Sequence, residues 1–452
     1  MIQGLGPSGS PQLVEELRNK LAFDPDNRIN RHNLAVELRK CGQSHEALAE
    51  IDRAWKEGLH RAETATMCAH LLADTAQYDA AVVAYREAIR IKPDLVEAHA
   101  ALASLLPQIG RANDALDSLH DALRRAPQAG LLWLEAMALA KSHGAHEQLL
   151  EWTKAAEARF GSDAMITAFA ANAMSALGRD QEALALMDAA LGQEPTYTPG
   201  HTIRAHCLLK LGDPAAAAAA AEEAVRLNSR DQSPWALLSV AWRLLGDERE
   251  HWLCDYDNLV MPIDLGLDED LPAVLEARHD LAAHPADQSL RGGTQTRGNL
   301  FEANDPVIFG LALAVRDTIE SRIARLRPDP DHPFLSRITG RVCFPTSWSV
   351  RLASQGFHIS HIHPAGWMSS AYYASLPPEV RADEGQGQLA FGVPDAALGL
   401  DLAPRRVIQP QEGLLVLFPS YLWHGTTPFE SASPRITVAF DSLPVDNSAP
   451  QG

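Results

Sequence analysis

The chain has little of what would place it in the specialised classes of protein. Among 452 residues there are only five cysteines, Cys41, Cys68, Cys207, Cys254 and Cys343, and none stands in a CxxC pair. That excludes a disulfide scaffold and a cysteine zinc finger, and reads as reduced thiols in a cytoplasmic protein. No run of 18 apolar residues exists, so no membrane-spanning helix is expected; the stretch Ala215–Ala221 is far too short. The N-terminus lacks the basic start and apolar core of a signal peptide. Positive charge is scarce: 39 Lys plus Arg face 58 Asp plus Glu, a formal charge of −19. Nucleic acid and anionic membranes both need clustered positive charge, so neither is an expected partner. A Ser-His-Asp arrangement in a recognisable context is also missing.

What is present begins with a period. Gly42, Gly110, Gly144, Gly178, Gly212 and Gly246 fall on one 34-residue lattice, with Ala76 at the remaining position. Five residues after the first six points stand Ala47, Ala81, Ala115, Leu149, Ala183 and Ala217; twelve after them stand Ala54, Ala88, Ala122, Ala156, Ala190 and Ala224. Pro93, Pro127 and Pro195 fall seventeen after. The glycine permits a turn between two helices, the alanines let paired helices approach closely, and the proline ends the second helix. Trp133, Trp235, His99 and His201 recur at one helical phase and read as packing residues.

After Gly246 the lattice stops, which suggests a boundary near residue 250. The sequence predicts a connector over 252–260, a short helix over Asp270–Ala283, a turn-rich loop over Ser289–Thr296 and an amphipathic helix over Pro306–Leu326. From about Thr339 the period becomes two. Candidate strands are 340–342, 347–352, 357–362, 369–374, 388–391, 406–408, 414–418, 422–425 and 435–440, which suggests a double-sheet jelly roll.

In the stretch 356–363, which reads as a strand, three histidines occupy six residues: His358, His361 and His363. Residues i and i+2 of a strand share a face, so His361 and His363 can hold one metal ion if a third ligand comes from elsewhere; His358 falls on the other face. His424 lies on a separate predicted strand, and Arg435 opens another in which Arg435, Thr437 and Ala439 share a face. An arginine buried beside a metal needs an anion, and a dicarboxylate chelating the metal supplies one. Arg351 fits a second anion contact or a structural ion pair equally. Trp348, Trp367 and Trp423 read as packing rather than as substrate lining.

The 34-residue pattern resembles the tetratricopeptide repeat over roughly residues 11–250, with about six full repeats plus terminal helices. His361, His424, Arg435 and Thr437 resemble the first histidine, distal histidine, arginine and following hydroxyl of the 2-oxoglutarate/Fe(II) oxygenases, a prolyl-hydroxylase-like jelly roll. The fuller match is to proteins joining such repeats to such a domain, through Ser-Leu-Arg-Gly-Gly-Thr-Gln-Thr at 289–296, Ser-Trp-Ser-Val-Arg-Leu at 347–352 and Trp-His-Gly-Thr at 423–426. The resemblance implies a repeat array over 1–250, a connector and helical support over 251–335, a jelly-roll core over 336–446 and a disordered tail over 447–452. It implies Fe(II) and 2-oxoglutarate as cofactors, O2 as co-substrate, and hydroxylation of a protein or peptide side chain held by the repeats. It places the oxoacid on Arg435, Thr437 and Tyr373.

The chain departs from the superfamily pattern at His363, which stands where the family carries Asp or Glu. Two ligand sets therefore stay open: His361, His363 and His424 together, or His361 and His424 with His363 behind the metal or against substrate. Two further readings also stay open, a non-catalytic interaction protein with a degenerate or sensing domain, and a three-histidine dioxygenase that does not use 2-oxoglutarate. The oligomeric state is not legible.

Overall fold

The computed structural model describes residues 9–279, 289–296, 298–382 and 385–445. The chain forms two compact units, Met1–Gln148 and Leu149–Gly452, dividing within the helix His146–Phe160.

The first unit is a series of helices of 13 or 14 residues, from Pro11–Phe23 to Gly130–Ser142. The lattice residues sit where the period requires. Ala47, Ala54, Ala81, Ala88, Ala115 and Ala122 are fully buried between helices. Gly42, Gly110 and Gly144 take left-handed φ values of 76°, 76° and 68°. Ala76, the lattice position without glycine, adopts the same conformation at φ 60°. The turn geometry thus overrides the preference of an L side chain for negative φ.

The second unit opens with more of the same helices and ends in β-structure. The recurring ring residues have one common job across both units. His99 and His201 bond through Nε2 to the carbonyls of Pro93 and Pro195, at 2.9 and 2.8 Å. Trp133 and Trp235 donate through Nε1 to the carbonyls of Pro127 and Ser229, at 3.0 and 3.1 Å. Each ring therefore ties its helix to the carbonyl six residues earlier, where the chain turns, and these are packing residues.

The lattice ends at Gly246, but the hydrophobic core does not. The helix Gln232–Leu245 is buried continuously from Pro234 to Trp242. A helix apolar on all sides is an interior helix. Its core runs on without a gap through Leu253, Leu271, Ile308, Trp367 and Phe440. Polar ties reinforce the join. Trp423 Nε1 donates to the Ala236 carbonyl at 2.9 Å, and Arg243 donates to the carbonyls of Gly392 and Ala403, each at 2.7 Å. Arg405 pairs at 2.6 Å with Glu250, whose side chain is only 4% exposed.

Among the described residues nine strands follow: β1 (Met261–Asp264), β2 (Leu290–Gln295), β3 (Val342–His358), β4 (Met368–Ser375), β5 (Leu389–Phe391), β6 (Arg406–Ile408), β7 (Leu414–Pro419), β8 (His424–Thr426) and β9 (Arg435–Pro444). Six form one antiparallel sheet in the order β1-β7-β4-β9-β3-β2; the other three form a second in the order β6-β5-β8. Phe391 on β5 meets Phe418 on β7 edge-on, with centroids 5.0 Å apart, joining the sheets. This is the jelly-roll arrangement the period of two predicts. The helix Pro306–Ile323 supports it with Ile308, Leu311, Val315, Ile319 and Ile323 buried, and Asp305 caps its start through the amides of Val307 and Ile308.

Four expectations are corrected. Residues 289–296 are not a loop: β2 pairs with β3, and the glycines are there because β2 passes so close to β3. A Cβ at Gly292 would lie 3.1 Å from the backbone of Gly356. The predicted strands 340–342, 347–352 and 357–362 fall, as far as residues 342 to 358, on one strand, β3, continued through a register shift between Cys343 and Thr346. β3 stops at His358, where its pairing with β2 ends, so His361 and His363 lie beyond it. β1 was not anticipated at all, since its four residues Met-Pro-Ile-Asp carry no clear period. In 270–283 the described helix covers Leu271–Glu276; residues from 280 on, and the tail 447–452, lie outside the described residues.

Candidate functional site

Beyond β3 an antiparallel bridge pairs His361 with His424. His361 N donates to the His424 carbonyl at 2.9 Å, and His424 N returns a bond to the His361 carbonyl at 3.1 Å. His363 N bonds to the Ser420 carbonyl at 3.0 Å. These bonds bring three rings together, with centroid separations of 4.2 Å (His361–His424), 5.1 Å (His361–His363) and 5.2 Å (His363–His424). One nitrogen from each lies within 4.8 Å of the others.

The second nitrogen of each ring is already committed. His361 Nδ1 bonds to the Ile359 carbonyl at 2.8 Å and His424 Nδ1 to the Leu422 carbonyl at 2.9 Å. His363 Nδ1 bonds to the Asp441 carboxylate at 2.8 Å. A carbonyl or carboxylate only accepts, so each Nδ1 carries the proton and each Nε2 offers a lone pair. His361 Nε2 and His363 Nε2 then face each other at 3.2 Å, two acceptors with no proton between them. A cation resolves that conflict. The donor set of three neutral imidazoles fits Fe(II) or Zn(II).

Burial sets the charge state. The His361 imidazole is pushed down to about 4, first by burial and then by the neighbouring His363. His424 and His358 are held well below the usual histidine value by burial and the adjoining imidazoles. All three titrate near 6.5 when unfolded, so between that pH and their depressed folded values the unfolded chain binds more protons. The stability of the metal-free protein is therefore present above about pH 6.5 and is lost as pH falls toward 4. The unfolding free energy of metal-free protein, read from urea melts, should drop across this window by about 1.4 kcal/mol per pH unit for each histidine involved, and less steeply for His361→Gln.

The rings line a cavity of about 310 Å³ together with Arg435, Thr437, Tyr373, Gln295, Trp348 and Asp441. All six site residues expected from sequence thus line one space. Arg435 is 2% exposed. Its Nη1 donates to the Gly387 carbonyl at 2.9 Å, while its Nε has no partner among the described residues. No carboxylate pairs with it among the described residues, and burial depresses its guanidinium pKa. Its Cζ lies 5.6 Å from the Tyr373 ring. The Tyr373 hydroxyl is buried without a partner among the described residues, and burial shifts its pKa upward.

Other residues differ from expectation. His358 lines the cavity instead of facing away: its ring is 6.0 Å from that of His361, and Ser289 Oγ bridges His358 Nδ1 (2.9 Å) and His361 Nε2 (3.2 Å). Strand alternation does not carry past the end of β3, so the face argument fails there. Trp348 stacks on His363 at 6.0 Å and lines the cavity rather than only packing. Trp367 and Trp423 do pack, donating to the carbonyls of Phe334 and Ala236. Arg351 pairs with Glu276 at 2.8 Å and takes no part in the cavity. Asp441 was missed by one residue: the alternation Arg435, Thr437, Ala439 extends to it once β9 runs beyond Phe440.

Residues 346–441 match the family model described as "Putative 2OG-Fe(II) oxygenase". Residues 69–110 match a "TPR repeat" model, and residues 200–231 a "Tetratricopeptide repeat" model. The chain thus carries tetratricopeptide repeats and a domain that matches the putative 2OG-Fe(II) oxygenase family. Similar solved structures are repeat proteins. A tetratricopeptide repeat protein from Parabacteroides merdae ATCC 43184 is 17% identical, covering 50% of this chain and 90% of its own, with a TM-score of 0.33. The Cut9-Hcn1 hetero-tetramer of the APC/C gives 18% identity, coverage of 52% and 47%, and a TM-score of 0.33. YrrB, a repeat protein "with an unusual peptide-binding site", gives 14%, 49% and 97%, and 0.30. No curated protein matches.

Proposed function

We propose that the protein is an Fe(II)- and 2-oxoglutarate-dependent oxygenase that hydroxylates a side chain of a protein or peptide recruited by its repeats. In this reading residues 1–250 recruit the substrate, 251–335 support the core, and 336–446 carry the chemistry. His361, His363 and His424 hold the iron. Arg435, Thr437 and Tyr373 receive the oxoacid. The cytoplasm is the proposed compartment. All five cysteines are free, and no described helix is long and apolar enough to cross a membrane.

The observation that carries the reading is the guanidinium of Arg435. A buried charge left without a partner costs several kcal/mol, and such a cost persists where a ligand relieves it. The relieving ligand must be anionic and must reach the histidine cluster across a cavity of about 310 Å³. A small dicarboxylate meets both demands, one carboxylate against Arg435 and the Tyr373 hydroxyl, the other end toward the three Nε2 atoms. When bound, the iron supplies the redox chemistry that converts O2, 2-oxoglutarate and a C–H bond into succinate, CO2 and an alcohol. The chain's own residues orient the oxoacid, hold the His361 and His424 imidazoles neutral by burial, and exclude water between two sheets.

The test is succinate formation. Protein purified anaerobically and given Fe(II), 2-oxoglutarate and O2 with candidate peptides should form succinate. His424→Ala and Arg435→Ala should abolish it. Absence of iron-dependent binding or turnover of the oxoacid would sink the enzyme reading. Tight binding with no turnover would support a sensing domain instead.

A further inference from the structure

Nothing in the ligand set replaces the carboxylate that His363 displaces, and three neutral imidazoles leave the full 2+ charge on a bound metal. A carboxylate is nevertheless present one hydrogen bond further out. Both oxygens of Asp441 approach His363 Nδ1, at 2.8 and 2.9 Å. The carboxylate is itself held: Ser369 Oγ donates to Oδ1 at 2.7 Å, and Ser420 Oγ bonds to Ser369 Oγ at 2.8 Å. Ser420 also accepts the His363 backbone N–H through its carbonyl, at 3.0 Å. Ring, carboxylate and two serines form one closed set. Gly366 belongs to it too, because a Cβ there would collide with Ser420 Oγ and approach Asp441 Oδ1 to 3.4 Å.

The three histidines are not held alike. Backbone carbonyls orient His361 and His424. Only His363 is oriented by a charged side chain. We infer that Asp441 is the positioning residue of the metal site, restoring through His363 the negative charge that the ligand set lacks. This rests on His363 being a ligand, as proposed above. Asp441 holds the proton on Nδ1, aims the Nε2 lone pair at the metal and strengthens it by polarising the N–H bond. No proton leaves the pair: it stays shared between Nδ1 and the carboxylate. A His-x-His site thereby keeps much of the electrostatics of His-x-Asp while presenting a ligand of imidazole shape.

The probe is Co(II) alone, titrated into the metal-free full chain and followed by its visible ligand-field bands, with the Fe(III)/Fe(II) potential as a second readout. Asp441→Asn keeps the shape and removes the charge. It should weaken Co(II) binding by about 10–100-fold, shift the bands and raise the reduction potential, since a carboxylate favours the ferric state. Ser369→Ala, which removes the hydroxyl that holds one carboxylate oxygen and so frees Asp441 to turn away from His363, should weaken Co(II) binding several-fold. It decides the matter if Asp441→Asn fails to fold. Co(II) affinity within twofold of the parent in both variants, with an unmoved potential, would overturn the inference. If His361→Ala abolishes binding in that case, the metal site itself stands. A parent chain that binds no Co(II) would instead defeat the proposed function, and this inference with it.

Discussion

Arg435→Met is expected to weaken 2-oxoglutarate binding by about 100- to 1,000-fold, because truncating one partner of a buried, hydrogen-bonded charge pair costs on the order of 3–4 kcal/mol. Metal affinity should be unchanged, since Arg435 touches none of the three histidines. The ligand-free protein should change little in stability. Removing the guanidinium relieves a buried charge, but it also leaves the Gly387 carbonyl without the donor it has at 2.9 Å. The two effects oppose each other. Thermal unfolding separates the cases: saturating oxoacid should raise the melting temperature of the metal-loaded parent and leave that of Arg435→Met in place. Arg435→Lys should fall between, because an ammonium supplies the charge without the planar fork. An unchanged affinity in Arg435→Met would show that the oxoacid, if bound, lies elsewhere.

The second large effect concerns where the oxygenase portion can be cut. A fragment beginning at residue 251 follows the end of the 34-residue lattice, and it should fail to fold. It lacks the helix Gln232–Leu245, whose Trp235, Leu237, Leu238, Val240 and Trp242 are buried in the same core as β4, β7 and β9. At about 1.5–3 kcal/mol for each large apolar side chain, that loss is comparable to the entire stability of a domain, about 5–15 kcal/mol. The fragment would also lose the bond from Gln232 N to the Pro364 carbonyl, 3.1 Å long, which steadies the chain just after His363. A fragment beginning at residue 198 retains these contacts and should be soluble, with a cooperative melt. Equal soluble yield and equal melting of the two fragments would show that the last repeat helix is dispensable.

Much was legible from the chain alone where a period repeats. Six glycines and their alanines on one lattice announce paired helices, because a turn that needs positive φ and a contact that needs a small side chain recur at a fixed distance. The jelly roll was legible from a period of two and the turns between. β1 and β2 were not. A four-residue edge strand has too few residues to show alternation, and the glycines of β2 answer to the closeness of β3, a neighbour some sixty residues away.

The site divides along the same line. The residue types and their spacing pointed to His361, His363, His424, Arg435 and Thr437, since ligand chemistry depends on what the side chains are, and the family resemblance added Tyr373; all six line one cavity. Which nitrogen each imidazole offers, whether His358 faces in or out, and what stands behind His363 all depend on direction. The carbonyls of Ile359 and Leu422 and the carboxylate of Asp441 supply that direction. They reach the rings only because β3 ends at His358 and one bridge pairs His361 with His424. A sequence records the identity and order of donors, and their convergence on one point is a property of the folded backbone.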